Sequence, residues 1–316
     1  MESIKVGVIG LGSMGRHHVR NVRQTPGIEL TAIADPAGDK FGVAGNLEVL
    51  PNVEALIEAG IEAAVVAVPT AFHPEVGIKL AQAGIPALIE KPLAPTVEEG
   101  KRLREAFSAT GTLAAVGYVE RCNPALLELR RRLDAGQLGE VFQIATRRQG
   151  PFPVRIADVG VIKDLATHDV DLTAWLGNSP YAEILAESAR TSGRKYEDFV
   201  LATGKLENGI LVNHIVNWFS PFKERMTTVT GEKGTLVADT MNSTLTFYEN
   251  GTKDVQWDQV AAVRGVSVGE VTQYALEQRE PLRVEHENFR DALRGDTKGI
   301  VSIDEALATL RVLDKM

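Results

Sequence analysis

The sequence predicts an α/β Rossmann domain, with a doubly wound parallel sheet, followed by an α+β domain. Its 316 residues suffice for two hydrophobic cores at about 150 residues each. Short β-branched runs alternate with helical patterns between Ile4 and Val119, which is typical of a parallel sheet covered by helices on both faces. Longer alternating segments separated by turn signals follow, as in antiparallel hairpins. We expect residues 1–121 to form the first domain and residues 122–316 the second.

Each expected element corresponds to a run in the sequence. Strands of the first domain are expected within residues 4–10, 27–35, 62–69, 85–92 and 113–120. Strands of the second domain are expected within residues 198–218, 224–239 and 243–250. Helical spacing predicts helices within residues 124–135, 162–177, 284–293 and 303–313.

Composition excludes several classes of protein. A formal net charge of -8 and a pI near 5.4 argue against a general nucleic-acid interface. No apolar run approaches the ~20 residues of a membrane-spanning helix, and the first residues lack the layout of a secretory signal. The single cysteine, Cys122, cannot form an internal disulfide or by itself a structural zinc site. We therefore expect a cytoplasmic protein with no metal, nucleic-acid or membrane partner.

A glycine-rich turn follows the first predicted strand and opens a helix. Its G-x-G-x-x-G glycines are Gly10, Gly12 and Gly15, and Ser13 and Met14 lie between them. The first glycine allows a tight turn, the second a close approach of the backbone to a pyrophosphate, and the third close packing of helix on strand. The helix N-terminus offers unpaired N–H groups to the phosphates. The sequence therefore predicts a dinucleotide site, with a turn that only packs as the alternative.

Asp35 ends the next predicted strand, about 20 residues beyond the last of these glycines. A carboxylate at this position accepts hydrogen bonds from the adenosine ribose hydroxyls. It would also repel a 2'-phosphate, so NAD is favoured over NADP.

Other candidate ligand contacts follow the later strands, because ligands of an open α/β sheet bind beyond the carboxyl ends of its strands. These positions are Pro69, Thr70, Glu90, Lys91 and the segment 118–121. Lys91 comes where the nicotinamide half of the cofactor is expected, and its ammonium suits a substrate hydroxyl or proton transfer. An exposed Glu-Lys ion pair is the alternative. His73 precedes a helix, and capping or packing is as good an interpretation for it as ligand contact.

A second polar cluster lies on the helix predicted within residues 162–177. Asp164, His168 and Asp171 are spaced i, i+4 and i+7, on the flank of an apolar stripe. Partial burial there tunes a histidine pKa near neutral pH. The alternative is that Asp164 caps the helix and His168 is a hydrogen-bonded residue at an interface.

Three motifs together resemble the glucose-fructose oxidoreductase, inositol dehydrogenase and MocA family. They are "GVIGLGSMGRHH" at the start, "EKPLA" at residues 90–94 and Asp-x-x-x-His-x-x-Asp at residues 164–171. The similarity extends over essentially the whole chain. It implies a Rossmann domain followed by an α+β domain with a large open, mainly antiparallel sheet that forms homodimer or homotetramer contacts. It also implies NAD(P)-dependent oxidation of a sugar or cyclitol hydroxyl, or the reverse reaction.

The resemblance assigns roles to individual residues. It makes Lys91 the catalytic lysine, next to a Pro92 that is often cis in relatives, and it makes Asp164 and His168 the pair that orients and performs proton transfer. The loops "VGYVERCNPA" and "RRQGPFPVRIADVGVIKDLATHDVD" are most similar to a sugar-nucleotide subgroup that includes UDP-N-acetylglucosamine 3-dehydrogenases. Candidate contacts to such a substrate are Arg121, Asn123 and Arg155, since an arginine fork suits a diphosphate.

Several alternatives stay open at this point. Loop arginines often form surface ion pairs instead. In one alternative the substrate is a free sugar or a cyclitol such as inositol. In two others the protein is an NAD-dependent glycosidase or a non-catalytic NAD-binding sensor. The segment after Asp35 is short for the helical crossover of the family, which leaves the adenine side of the site open.

Overall fold

The computed structural model describes residues 3–153, 159–251 and 267–316. Its strands are β1 Ile4–Ile9, β2 Ile28–Ala34, β3 Val49–Leu50, β4 Ala63–Val66, β5 Ala87–Glu90, β6 Ala114–Gly117, β7 Val141–Pro151, β8 Tyr181–Ala189, β9 Phe199–Leu206, β10 Leu211–Asn217, β11 Phe219–Gly231, β12 Gly234–Asp239, β13 Thr244–Gly251, β14 Ser267–Tyr274 and β15 Val301–Ser302. Its helices are α1 Gly15–Gln24, α2 Val53–Glu58, α3 His73–Gln82, α4 Val97–Thr110, α5 Pro124–Asp134, α6 Thr167–Leu176, α7 Pro281–Leu293 and α8 Ile303–Leu313.

The chain forms two compact units, and their division differs from the expected boundary at residue 121. The first unit contains the chain up to Cys122 together with Glu280–Asp314, and the second contains Asn123–Arg279 and the last two residues. The C-terminal segment returns to the first unit because β15 pairs antiparallel with β6, where Val301 faces Val116. The side chains of Leu307 in α8 and Phe289 in α7 belong to the apolar cores of the first unit.

The first unit contains a seven-stranded sheet in the order β15-β6-β5-β4-β1-β2-β3. Strands β1 to β6 are parallel. Apolar cores cover both faces: in β4, Ala64 and Val66 belong to the core on one face, Ala63 and Val65 to the core on the other. The doubly wound sheet predicted from the sequence is thus confirmed. The strand order reverses between β1 and β4, and in open α/β sheets ligands bind beyond the carboxyl ends of the strands at such a switch point.

The crossover from β2 to β3 is a loop without a helix. Asp39 orders this loop by accepting hydrogen bonds from the N–H groups of Ala44 at 2.6 Å and Phe41 at 3.1 Å. Arg23 of α1 donates to the carbonyls of Val43 and Ala44 at 2.7 Å each. The segment that is short in the sequence therefore folds back against α1 instead of forming a helical layer.

The second unit contains an eight-stranded sheet in the order β14-β13-β12-β11-β7-β10-β9-β8. Strands β7 and β10 are parallel, and the other neighbours are antiparallel. One face packs against α5 and α6, where Leu126, Leu129 and Leu172 are fully buried. The mainly antiparallel sheet implied by the resemblance is thus confirmed. Strands β7, β8 and β14 were not among the predicted elements.

A polar group of three side chains lies within the packed face of this sheet. His214 of β10 is buried, and its Nδ1 lies 2.7 Å from Thr146 Oγ1 and its Nε2 2.9 Å from Tyr181 Oη. Burial lowers the pKa of His214 to about 4. It also raises the pKa of the Tyr181 hydroxyl. Both side chains are therefore neutral at pH 7.

No helix in the described part of the chain is long and apolar enough to span a bilayer.

Because buried His214 resists protonation, folding stability should depend on pH. Its pKa in the unfolded chain is near 6.5, so the unfolded state takes up a proton first as pH falls. The contribution of neutral His214 to the free energy of unfolding is complete above pH 6.5 and is lost as pH falls towards 4. The loss amounts to about 3 kcal/mol. We expect the gap in unfolding free energy between wild type and His214→Gln to narrow by about that amount from pH 7 to pH 4, in urea titrations. A gap that stays constant would contradict the assignment.

Candidate active site

Two glycines of the glycine-rich turn are required by the packing of the protein itself. A Cβ at Gly15 would lie 1.8 Å from the carbonyl oxygen of Gly10, where no side chain fits. Gly10 has φ +91, and a Cβ there would lie 2.5 Å from the carbonyl oxygen of Ala67. Helix α1 therefore begins directly against the end of β1 and the segment after β4.

Gly12 differs from both. A Cβ at this position would meet no atom within 4 Å, so the space above it is open and packing does not require glycine. Helix α1 starts three residues later, without an acidic residue in its first turn, so the positive end of the helix dipole meets no carboxylate of this turn. This cradle fits a pyrophosphate that approaches the backbone at Gly12, with Ser13 and Met14 beside it.

Asp35 connects this turn to the end of β2. Its Oδ2 accepts a hydrogen bond from the N–H of Leu11 at 2.8 Å, and its Oδ1 accepts one from Ala37 at 2.8 Å. A carboxylate has about four acceptor positions, so capacity for ribose hydroxyls is left. The residues at this edge therefore fit the adenosine half of NAD.

Lys91 follows β5 directly, and the Lys91–Pro92 peptide is cis, as the resemblance implied. The preceding Glu90 is buried: its Oε1 lies 2.8 Å from His18 Nε2, and its Oε2 accepts a hydrogen bond from the Lys91 N–H at 3.1 Å. Only β4 separates β5 from β1. The carboxyl ends of β1 and β5 are therefore about 10 Å apart, and one extended ligand on this edge reaches both.

The residues after β4 have different surroundings. Pro69 is exposed and precedes a 3₁₀ turn, Thr70–Phe72, whose first residue, Thr70, is half-buried. His73 is buried, with Nδ1 3.0 Å from the Pro92 carbonyl and Nε2 3.0 Å from the Val68 carbonyl. Burial lowers its pKa. His73 thus joins the segment after β4 to the Lys91 turn through backbone groups, and its cofactor contact stays a prediction.

Two of the predicted substrate contacts have structural partners. Arg121 forms an ion pair with Glu305 of α8 at 2.8 Å. Asn123 caps α5 by accepting from the Ala125 N–H at 3.0 Å, and it donates to the Thr240 carbonyl at 3.2 Å. Arg155 lies outside the described residues. The substrate contacts of all three residues stay predictions.

Asp164 lies in the second unit, within a π-helical turn, Ile162–Ala166, that leads directly into α6. Glu197 caps this turn by accepting from the N–H of Ile162 through Oε1 at 3.2 Å, while its carbonyl accepts from Val161 at 2.9 Å. The turn has the wider i to i+5 pattern, so a regular α-helical wheel does not describe residues 162–166. Wide turns of this kind are frequent at functional sites.

His168 is the second residue of α6, and every residue from Ala166 to Thr173 is buried. The expected single apolar stripe is therefore incorrect for α6, because the helix is covered on all sides. His168 itself is 9% exposed, and Asp164 is partly exposed one turn earlier. The structure brings these two residues together in one segment of the second unit, while Lys91 belongs to the first.

A buried ion pair that sequence reasoning missed holds this helix. Arg148 Nε of β7 lies 3.0 and 3.1 Å from the two carboxylate oxygens of Asp169, and both side chains are buried. Asp169 directly follows His168 in α6, so the pair fixes α6 on the sheet at the histidine. The available signal was the adjacent pair Arg147 and Arg148, because successive side chains of a strand point to opposite faces of the sheet.

Comparison with known proteins identifies the family. The sequence-family model described as an oxidoreductase family with an NAD-binding Rossmann fold matches residues 4–118. A second family model, the GFO/IDH/MocA C-terminal domain, matches residues 126–237. The chain belongs to the GFO/IDH/MocA oxidoreductase family.

Two curated relatives and one solved structure illustrate the range of this family. A scyllo-inositol 2-dehydrogenase (NAD(+)) of Bacillus subtilis is 33% identical over 183 residues, which are 55% of this chain and 54% of that protein. The chain thus matches about half the length of that relative. A UDP-N-acetylglucosamine 3-dehydrogenase of Acidithiobacillus ferrooxidans is 29% identical over 93% of this chain and 90% of that protein. A solved structure of a protein with this name, from the same organism, covers 100% of this chain and 97% of its own, with 26% identity and a TM-score of 0.86.

The glycine geometry makes a paired prediction. Gly12→Ala should fold with an unchanged melting temperature, because its Cβ enters open space, and it should bind NAD at least about 10-fold more weakly because that space is the pyrophosphate cradle. Gly15→Ala is the matched control and should lower the melting temperature strongly, since its Cβ meets the Gly10 carbonyl. Calorimetry and NAD titration measure both effects. Unchanged NAD affinity in Gly12→Ala would disprove the cradle.

The buried ion pair of Arg148 and Asp169 leads to a second prediction. Arg148→Met leaves the Asp169 carboxylate buried without this partner, and we expect it to lower the unfolding free energy by about 3–5 kcal/mol. The double variant Arg148→Met/Asp169→Leu should recover most of the loss, because it removes both charges. Denaturant titrations of the three proteins test this. A double variant no more stable than the single one would contradict the assignment.

Proposed function

We propose that the chain is an NAD-dependent dehydrogenase that transfers a hydride between nicotinamide and a secondary hydroxyl of a sugar, with a nucleotide sugar as the substrate. The observation that carries it is the open cradle at Gly12, which packing does not explain, on the same sheet edge as Asp35 and Lys91. NAD is the cofactor because the Asp35 carboxylate disfavours a 2'-phosphate.

Alcohol oxidation requires a hydride to leave carbon while a proton leaves oxygen. NAD, when bound, supplies the hydride acceptor. In this chain His168 takes the hydroxyl proton at an imidazole nitrogen, and the Asp164 carboxylate orients and supports the resulting imidazolium. The Lys91 ammonium holds the substrate hydroxyl. Positioning of this kind is effective only when the reacting atoms are about 3 to 3.5 Å apart.

The extent of similarity favours a nucleotide sugar over a free cyclitol. The UDP-N-acetylglucosamine 3-dehydrogenase of Acidithiobacillus ferrooxidans is similar over nearly the full length of both proteins, including the second unit. The scyllo-inositol dehydrogenase of Bacillus subtilis is similar over about half. Its slightly higher identity over that half supports a free sugar or cyclitol as the second candidate.

The open face of the eight-stranded sheet supports a homodimer or homotetramer. Its outward positions include partly or fully exposed apolar side chains, namely Leu185, Leu201, Leu211, Ile215, Met226, Val237, Tyr248 and Val271. Exposed apolar surface of this extent is typical of an association surface. The single cysteine, Cys122, is buried and suits the reducing cytoplasm.

Turnover on a substrate panel tests the function. We expect NADH absorbance with UDP-N-acetylglucosamine to exceed that with free N-acetylglucosamine, glucose, myo-inositol and scyllo-inositol. Lys91→Ala and His168→Ala should each lower kcat by at least about 10²-fold and leave the Kd for NAD nearly unchanged. Two matched controls are Lys101→Ala, on the exposed side of α4, and His17→Ala, in α1. Neither should change kcat.

Three other results would contradict the proposal. NADH formation with inositols alone would assign the chain to the second candidate. NAD binding without turnover on the panel would indicate a sensor, and cleavage of a glycoside without net NADH would indicate a glycosidase.

A further inference from the structure

Three buried polar side chains form a continuous hydrogen-bonded chain in the first unit. His18 of α1 lies at its centre, with Nε2 2.8 Å from Glu90 Oε1 and Nδ1 3.0 Å from His286 Nε2. His18 and His286 are fully buried, and Glu90 is 7% exposed. These hydrogen bonds thus connect the helix of the glycine-rich turn, the end of β5 and helix α7.

The protonation state of Glu90 determines where the protons of these three side chains lie. Burial alone raises the pKa of its carboxyl, but the hydrogen bond and charge of His18 and the charge of Lys91 outweigh that effect and hold it below the ordinary value. Glu90 is therefore ionised, and its Oε1 accepts a hydrogen bond from the Nε2–H of His18. Burial and the neighbouring His18 hold the pKa of His286 well below its usual range, so His286 is neutral and its Nε2–H donates to His18 Nδ1 when His18 is neutral.

Two further titratable groups of the described residues, Glu285 and His73, act on or respond to the Glu90 charge. The carboxyl of Glu285, on α7, has a pKa raised well above its usual value by burial and then by the Glu90 charge, so a second negative charge is disfavoured there. His73, on α3, also contributes to the low pKa of Glu90. The ionised carboxylate therefore faces His18 on one side and the Lys91 turn on the other.

Stability alone does not account for such an arrangement. A buried ionic group with imidazole partners is on average no more stabilising than apolar side chains of the same volume. The position of the carboxylate is more informative: its second oxygen accepts the main-chain N–H of Lys91. With one oxygen on His18 and the other on the Lys91 main chain, the carboxylate is held in one orientation.

We propose that His18, oriented by His286, is a positioning residue for Lys91: it fixes the Glu90 carboxylate, which in turn fixes the main chain at Lys91. This inference rests on the proposed function, in which Lys91 holds the substrate hydroxyl. Displacement of a reacting group by about 1 Å is sufficient to lower turnover about 10²-fold, so a small shift of this turn has a measurable effect.

Two substitutions of His18 separate positioning from packing. The side-chain amide nitrogen of Gln occupies nearly the place of Nε2 and keeps a donor to Glu90. The shorter Asn side chain reaches only the place of Nδ1, where its amide oxygen accepts the His286 Nε2–H, so it keeps only the contact with His286. Each variant retains one of the two buried hydrogen bonds. We expect His18→Asn to lower kcat about 10- to 100-fold with unchanged NAD affinity, and His18→Gln to recover activity to within about 3-fold of wild type.

The control is His17→Gln, one position along the same helix and outside the chain of hydrogen bonds. It should leave kcat and melting temperature unchanged. Equal kcat in His18→Asn and His18→Gln, with wild type active, would overturn the positioning role and leave the proposed function standing.

A readout without turnover keeps the test decisive if wild type has no activity on the panel. The Lys91 amide proton is hydrogen bonded to Glu90 Oε2, so its ¹H–¹⁵N resonance reports on the carboxylate. We expect that resonance to move in His18→Asn and to stay near its wild-type position in His18→Gln. Movement of equal size in both variants, or in neither, would overturn the inference.

Discussion

The close approach of Gly15 to the carbonyl of Gly10 is the constraint on which the first unit depends. With no side chain at either position, α1 begins directly on the end of β1. This placement puts Leu11 where its N–H reaches Asp35, and it puts His18, one turn further along α1, where its ring reaches Glu90. Both the candidate cofactor cradle and the support of the Lys91 turn are thus consequences of one tight contact.

The second unit holds its candidate catalytic residues by a different means. Helix α6 is covered on all sides, so polar partners within the packed face fix it: Arg148 binds Asp169, next to His168. The preceding π-helical turn places Asp164 on a wider spiral, and Glu197 caps that turn. Buried polar partners are costly unless they are matched, so they specify one position for the helix more strictly than apolar contacts do.

Local signals predicted much of this architecture. The glycine-rich turn, the acid after β2 and helix α8 at Ile303–Leu313 follow from short patterns, because backbone geometry and capping act over a few residues. The contacts of His18 with Glu90 and His286 span 72 and 268 residues, and no pattern in one sequence indicates such pairs. The π-helical turn depends on Glu197, about 35 residues away, and for the same reason helical periodicity alone was misleading there.

The central claim is that one dinucleotide contacts both the glycine-rich turn and the Lys91 turn. Titration of the ¹⁵N-labelled protein with NAD tests it most directly, with the backbone amides of Gly12 and Lys91 followed by NMR. We predict that both resonances shift along one saturation curve with one Kd. An NAD titration that reaches saturation while either amide stays unmoved would contradict the account.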